Sequence, residues 1–408
     1  MTSYPRLVHP IGRARSRGEG LAIAIAVGSM GTLGFSITAP LLPDLADAFD
    51  VSRGAIGIVQ AAVSVPGVLF SALIGYLADR LGRRRVVLTS LLIFSTFGVA
   101  GFFARSFGGL IAVRFLQGIG TSGILGVGIV LVADQFTGID RVRAMGYNIT
   151  GLTTVSMLGP AVSGLLATRN IFLPFLFFSI GYPLALWATR LPPDAPNRTT
   201  EPPLRHMGDA VTVMKKESTW INYLGVLVAS VGAVVVLHGL GLTTTPLFLD
   251  EEFGTSVAVR GLIVATFQVG VILTAIRIGQ IRARFGPARM ITTSFSLMSL
   301  GTAIVVVAPE AWAVATGLAV AGVGFGLWVP LAQEYTARAG STLYRGVTIL
   351  TWVTVVRVSQ VFGPPAGSFL SDAAGARVTF AVATLGMALM AATWQPLRRR
   401  FNRQAYPD

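Results

Sequence analysis

Apolar stretches of about twenty residues recur along the whole chain, and they constrain its fold more than any other feature. A helix needs roughly 20 apolar residues to cross the hydrocarbon core of a bilayer. The strands of a membrane barrel would alternate apolar and polar residues over about ten positions, and these stretches do not alternate. The sequence therefore predicts an all-α membrane protein with twelve transmembrane helices. These spans 1 to 12 are expected at residues 21–43, 57–78, 86–104, 108–133, 145–167, 171–189, 221–247, 260–279, 290–308, 311–333, 346–369 and 378–396.

Composition supports lipid as the solvent and excludes several kinds of chemistry. Only 12% of the 408 residues are charged, whereas about 25% are charged in ordinary soluble domains. The absence of cysteine excludes disulfides, thiolate metal sites and thiol catalysis. The sequence contains no HExxH motif, no Walker-type loop and no pair of acids buried in facing helices. We therefore predict no enzymatic activity, no catalytic residue, no metal site and no bound cofactor.

The basic residues alternate between the loops. If the N-terminus is cytoplasmic, most of the 32 Lys and Arg residues fall in cytoplasmic segments; the outer loops hold only Arg53, Arg105, Arg169, Arg260 and Arg377. Lys and Arg resist translocation, so this asymmetry predicts a multi-pass protein of the cell (inner or plasma) membrane with both termini cytoplasmic. The net charge of +14 then faces anionic lipid head groups, and nucleic acid is not needed as a partner. A monomer is expected.

The two halves of the chain repeat each other. GYLADRLGRRR near the end of span 2 is echoed by GQIRARFGPAR near the end of span 8, and GPAVSG in span 5 by GPPAGS in span 11. TAPLLPDLADAF, which begins at Thr38, is echoed by TTPLFLDEEF, which begins at Thr244. Internal duplication of this kind is common in transporters. We predict two pseudo-symmetric six-helix bundles, 1–192 and 220–408, joined by a proline-rich cytoplasmic linker at 193–219.

The segment GYLADRLGRRR resembles the most diagnostic motif of the major facilitator superfamily. Its Gly75 would let a neighbouring helix approach closely, Gly82 would permit a tight turn, and Asp79 needs a basic partner or a helix N-terminus at the membrane edge. The resemblance implies alternating access by two bundles that rock around a central cavity, with a conformational latch on the cytoplasmic side. The residues we assign to this latch are Gly75, Asp79, Arg80, Gly82, Arg83, Arg84, Asp134, Arg284 and Glu334.

Two further segments resemble motifs of the same superfamily. RFLQGIGTSG in span 4 is similar to its second motif, and MLGPAVSGLL in span 5 is similar to the motif of the twelve-span drug:proton antiporters. The second match is partial, because Ser163 and Gly164 stand where that group has paired glycines. Arg114 and Gln117 share one helical face that could line the cavity, although Arg114 could also snorkel to the outer end. Gly159 and Pro160 could serve a gating interface or ordinary bundle packing.

Charged and titratable residues inside the spans are few. Many proton-coupled relatives carry a carboxylate in span 1, which this chain lacks, so the candidates for proton coupling are Asp79, Asp134, Glu334 and His238. Arg357 lies near the middle of span 11 without an acid at its depth. It could bond to helix ends at the bundle interface or meet an anionic substrate, and we predict the interface role. The predicted cavity residues are Phe35, Arg114, Gln117, His238 and Trp328; the predicted interface residues are Gly159, Pro160 and Arg357.

The leading interpretation is a secondary active transporter that exports amphiphilic, drug-like or lipid-like compounds in exchange for protons. The alternative is uptake or facilitated passage of a small organic solute, anionic if Arg114 and Arg357 bind it. An intramembrane enzyme lacks the required motifs, and nothing in the sequence argues for a receptor. The expected partners are a small-molecule substrate and the lipid bilayer, with a proton gradient as the energy source.

Overall fold

The computed structural model describes residues 17–135, 138–191, 220–339 and 345–405, and these contain helices but no strand. The predicted all-α fold is confirmed, while the predicted linker 193–219 lies outside the described residues. The helices of spans 1 to 12, in order, are Arg17–Ser36 with Leu42–Phe49, Gly57–Leu81, Arg83–Ala100, Phe107–Gln135, Gly138–Ala167, Leu173–Ile180 with Gly181–Ala188, Trp220–Val234 with Val235–Thr244 and Thr245–Phe253, Val257–Arg284, Pro287–Val306, Ala311–Ala339, Arg345–Ala374 and Ala376–Ala405.

Length and hydropathy make most of these helices able to cross a membrane. Within the described ranges, nine helical stretches reach the length and mean hydropathy of a membrane span. Shorter apolar helices at Gly57–Ser71 and Leu173–Ala188 lie in spans 2 and 6. Span 11 is 30 residues long and carries Arg357 in its interior. The chain is a multi-pass membrane protein.

Each half of the chain packs around its own apolar core. Buried residues of spans 1 to 6, among them Leu91, Phe94 and Phe178, form the first core. The second core belongs mainly to spans 7 to 12 and includes Phe295 and Trp328. Both cores also receive a few residues from the other half, so the two bundles share an apolar interface.

The bundles meet where span 2 packs along span 11 and span 5 along span 8. Gly57 and Gly261 lie very close to the opposite bundle. A Cβ on Gly57 would clash with the backbone of Pro364, and a Cβ on Gly261 would clash with the backbone of Pro160. Ser368 Oγ donates a hydrogen bond to Gly54 O across the same interface at 2.6 Å. Glycine permits this close approach because it lacks a side chain. All of these contacts lie at the side of the molecule predicted to be external.

The opposite side of the described helices is open. At the predicted inner ends of spans 2 and 8, nothing among the described residues lies within 4 Å of a Cβ placed on Gly75 or Gly279. Tyr76 and Ile276 are 48% and 75% exposed there. The close helix approach predicted at Gly75 is not seen among the described residues, and it stays a prediction. The described part of the chain is closed at the predicted outer side and open at the predicted inner side.

Span 7 contains a π-helix at Val235–Thr244, which periodicity did not predict. Three consecutive threonine hydroxyls stabilise it by donating to carbonyl oxygens five residues earlier: Thr243 to His238 at 2.7 Å, Thr244 to Gly239 at 3.0 Å and Thr245 to Leu240 at 2.9 Å. Short π segments occur frequently at functional sites. This one carries the only histidine within the predicted spans, His238.

Span 1 is also interrupted near its outer end. Its first helix ends at Ser36, and a 3₁₀ turn at Ala39–Leu41 leads into the helix Leu42–Phe49. The sequence predicted a span that ends at residue 43, followed by a loop. The helix continues because Pro43 stands in its first turn, where a missing N–H costs nothing, and because Leu42 and Leu45 are fully buried.

Candidate functional site

Arg114 joins span 4 to span 1 inside the first bundle. Its guanidinium donates hydrogen bonds to Gly34 O and Gln117 Oε1, and to Thr38 Oγ1 at 3.2 Å. Arg114 is 1% exposed and Gln117 is fully buried. In this conformation neither side chain faces an open cavity, and substrate contact through them stays a prediction.

Gln60 is a buried polar residue that the sequence analysis did not single out. Its Nε2 donates to Phe35 O at 3.1 Å, and its Oε1 accepts from Thr38 Oγ1 at 3.3 Å. The Phe35 carbonyl needs such a donor because the span 1 helix ends one residue later. Gln60 therefore holds the break in span 1 and fixes the position of the Phe35 ring.

Three spans meet at the centre of the molecule. The rings of Phe35 (span 1) and His238 (span 7) pack edge to face, with centroids 5.3 Å apart at an interplanar angle of 88°. Gln360 Nε2 (span 11) lies 3.3 Å from His238 Nε2. The predicted cavity residues Phe35 and His238 are thus in contact across the two bundles. Trp328, also predicted for the cavity, is 2% exposed and packs on Phe295 in the second core, so its substrate contact stays a prediction.

Arg357 lies on the face of span 11 that is turned toward the first bundle. Its guanidinium packs against Gly67 of span 2, and a Cβ placed on Gly67 would clash with Arg357 Nη1. The hydroxyl oxygen of Ser122 in span 4 lies 3.5 Å from the same Cβ position. The residue is partly exposed. Arg357 therefore stands at the contact between bundles, and the gating role predicted for it remains to be tested.

Gly159 and Pro160 lie where span 5 passes spans 1 and 8. A Cβ on Gly159 would clash with Ser36 Oγ, and the carbonyl of Pro160 faces Gly261 of span 8. The helix Gly138–Ala167 continues through both residues. They contribute to a close contact, and their part in gating stays a prediction.

Reciprocal ion pairs close the predicted outer side. Arg260 of the second bundle pairs with Asp44 of the first bundle and with Asp250 of its own. Arg53 of the first bundle pairs with Asp250 at 2.7 Å and with Glu251 at 3.5 Å. The Arg260 side chain is only 2% exposed. We call Asp44, Arg53, Asp250 and Arg260 the outer ion-pair cluster.

The outer ion-pair cluster was not predicted, although the sequence carried a signal for it. Asp44 and Asp250 end the repeated segments TAPLLPD and TTPLFLD, and an Arg-Gly pair follows each of them at Arg53 and Arg260. Each bundle thus gives one acid and one arginine to the other. Burial alone lowers the pKa of Arg53, but the hydrogen bond and charge of Asp250 raise it above its ordinary value, so the arginine stays charged.

Part of the predicted latch lies within the described residues. Gly82 turns the chain between spans 2 and 3 with φ 92°, a backbone angle that favours glycine. Arg80 Nη1 donates to Tyr76 OH at 3.0 Å. The side chains of Asp79 and Asp134 lie outside the described set. The network predicted to hold the outward-facing state therefore stays a prediction, as do the roles of Arg83 and Arg84.

The second bundle has a charge pair between the predicted inner ends of spans 8 and 10. Glu334 Oε1 of span 10 accepts from Arg282 Nη2 of span 8 at 3.5 Å, whereas Arg284 is exposed. This pair joins two helices of the same bundle. The latch roles predicted for Arg284 and Glu334 stay predictions.

Comparison with known proteins identifies the class of this chain. The family model of the Major Facilitator Superfamily matches residues 24–245 and 229–407. Together with the all-helical fold of the described residues, this match places the chain in that superfamily: it is a membrane transporter for a small-molecule substrate and not an enzyme.

Similar proteins include two resistance proteins and one solved structure. The chain is 25% identical over 355 residues to Multidrug resistance protein 1 of Bacillus subtilis (strain 168), covering 83% of this chain and 86% of that protein. It is 24% identical over 374 residues to the class H tetracycline resistance protein of Pasteurella multocida, covering 86% and 89%. A bacterial homolog of the human lysosomal transporter Spinster, in an inward-facing and occupied conformation, matches with TM-score 0.74 and 16% identity over 96% and 99% of the two chains.

Proposed function

We propose that this transporter exports amphiphilic, drug-like or lipid-like compounds across the cell membrane in exchange for protons. The observation that carries the proposal is the similarity to multidrug and tetracycline resistance proteins over more than four-fifths of each chain. The geometry supports it: two bundles, closed at one side by the outer ion-pair cluster and open at the other, suit alternating access around a central site.

The proposed orientation follows from the alternation of basic residues between the loops. Both termini are cytoplasmic, so the open side faces the cytoplasm and the inner leaflet. Substrate enters from there and reaches Phe35, His238 and Gln360 at the centre. The transporter works as a monomer, and nucleic acid is not a partner.

The proposed energy source is an inward flow of protons through a carboxylate outside span 1. Glu334 supports this proposal because its carboxylate faces a cation, Arg282, at 3.5 Å. Protonation of Glu334 would release Arg282, so binding of a proton could change the contact between spans 8 and 10. Asp134, at the matching place in span 4, is the second candidate.

Transport in proteoliposomes tests the proposal. With the protein reconstituted and an imposed pH gradient, we expect uphill movement of ethidium or naphthalene-2-sulfonate that stops when nigericin collapses the gradient. Glu334→Gln should keep downhill exchange but lose its dependence on the gradient. Glu310→Gln, an exposed acid at the opposite side, should behave like the unchanged protein. Absence of gradient-driven movement for every probe would contradict proton-coupled export.

Downhill passage of a small anionic organic solute is the second candidate, and the partly exposed Arg357 favours it. The same vesicles distinguish the two functions. Flux of benzoate down its own gradient, unaffected by nigericin, would favour facilitated passage over export.

A further inference from the structure

Arg357 is placed where a charge is costly. It lies near the middle of span 11, at the depth of the hydrocarbon core, where a formal charge must find water or polar partners. Arginine cannot escape by losing its proton. The side chain is partly exposed at the contact between bundles.

The two deep arginines differ in their partners. Arg114 has acceptors on Gly34, Thr38 and Gln117 and is closed off from solvent. For Arg357, the described residues supply neither a hydrogen-bond acceptor nor a carboxylate, and its neighbours are Gly67 and the Ser122 hydroxyl. Both terminal nitrogens of Arg114 therefore bond to the protein, and only its buried Nε lacks a partner among the described residues, whereas Arg357 offers its planar group of N–H donors to whatever enters the space between the bundles.

The surroundings of Arg357 suit an amphiphile. Gln360, one helical turn further along span 11, places its amide beside His238, and the Phe35 ring of the other bundle packs against His238 in a T-shaped arrangement. Polar donors thus lie next to an aromatic surface, an arrangement that binds a molecule with one charged end and one apolar end.

We propose that Arg357, with Gln360 and His238, binds the anionic group of the transported compound, while Phe35 contacts its apolar part. The ligand class is an amphiphile with a single carboxylate, sulfonate or phosphate group, because a guanidinium fork matches two oxygens of such a group. Arg114 is then a structural residue, the reverse of the roles predicted from the sequence. The proposal rests on the export function and specifies its substrate class.

Binding to the purified full chain in phosphatidylcholine nanodiscs tests this assignment without any gradient. The probes are naphthalene-2-sulfonate and its neutral counterpart naphthalene-2-methanol, with affinity measured by displacement and by thermal stabilisation. We expect the unchanged protein to prefer the anion. Arg357→Gln should weaken anion binding by about 10- to 100-fold, the equivalent of one charged hydrogen-bonded contact, and leave binding of the neutral probe unchanged. Arg357→Lys should recover only part of the loss.

Arg377→Gln is the matched control, because it removes an arginine that bonds to Val306, Ala308 and Glu252 at the predicted outer end of span 12. It should keep the preference for the anion. Competition by phosphatidylglycerol in the nanodisc would support the site with a lipid head group as the ligand; no competition would support a soluble anion. Equal binding of both probes by the unchanged protein, or full anion binding by a folded Arg357→Gln, would overturn the proposal. If the protein prefers the anion in the binding assay but does not transport in proteoliposomes, the export function is contradicted and the anion site is not.

Discussion

At the scale of single residues, the outer ion-pair cluster has the arrangement expected of a gate. Arg260 is nearly buried and bonds to one carboxylate of each bundle. Asp250 belongs to the same bundle and can follow Arg260, but the pairing with Asp44 exists only while the bundles touch at this side. A buried charge that loses a partner is strongly destabilised, so opening requires the four side chains to be hydrated together. The cluster therefore favours the conformation that is closed at the predicted outer side.

Asp44→Asn should shift the protein toward the outward-open conformation. The change removes the carboxylate that Arg260 reaches across the interface, and a charged hydrogen bond contributes about 1.5–3 kcal/mol. That loss changes a two-state equilibrium by roughly tenfold or more. A cysteine at Ser368, which is fully buried in the closed interface, should react about tenfold faster with a membrane-impermeant maleimide.

Asp47→Asn is the matched control for this prediction. Asp47 lies on the same short helix, but its side chain is 71% exposed and 3.7 Å from Arg53. Exposed pairs of this kind contribute little. Its labelling rate should equal that of the parent protein, and an unchanged rate in Asp44→Asn as well would show that the cluster does not hold the gate.

At the scale of helices, the glycines of span 8 report how the bundles touch. Gly261 packs on the backbone of Pro160, whereas nothing among the described residues lies within 4 Å of a Cβ on Gly279. Gly261→Ala should therefore separate spans 5 and 8 at the predicted outer side and reduce turnover several-fold. Gly279→Ala should leave turnover unchanged, because the added methyl group meets no neighbour among the described residues. Both substitutions gain the same helix propensity, about 1 kcal/mol.

Transport rate and thermal unfolding, measured side by side, check this pair of variants. We expect Gly279→Ala to unfold at the same temperature as the parent or higher, and Gly261→Ala to unfold lower. Equal transport rates and equal unfolding temperatures in the two variants would show that spans 5 and 8 are not tightly packed at Gly261.

Helices and their pairing differ in how well the sequence predicts them. Hydropathy and the repeats predicted the spans, because a helix that crosses the bilayer needs a local run of apolar residues, which the sequence shows directly. The π-helix at Val235–Thr244 was missed because it depends on threonine hydroxyls that donate to carbonyl oxygens five residues earlier. In a continuous apolar segment, the hydropathy pattern does not distinguish a π-helix from an α-helix. The pairing of Asp44 with Arg260 joins residues from opposite halves and appears only when the bundles dock. Arg282, which pairs with Glu334, was not singled out, because helix rotation decides which arginine at the end of span 8 faces span 10.

At the scale of the whole molecule, the two bundles meet at the predicted outer side and part at the predicted inner side. The outer ion-pair cluster and the glycine contacts hold the predicted outer side together. The latch around Asp79 is proposed to act in the opposite conformation, and the centre at Phe35, His238 and Arg357 lies between the two gates. Transport then requires that one gate close when the other opens, because a protein with both gates open would be a channel.

Distance measurements between spin labels are the most direct test of alternating access here, and the cysteine-free chain allows them without background labelling. One pair, Arg105→Cys with Glu310→Cys, reports the outer loops, and the other, Arg85→Cys with Arg289→Cys, reports equivalent inner ends; all four positions are exposed. In the parent we predict a short outer and a long inner distance. Adding Asp44→Asn should populate a second state in which the outer distance is longer and the inner distance shorter. Distances that change in the same direction at both sides, or an outer distance that grows while the inner one stays fixed, would contradict alternating access in this protein.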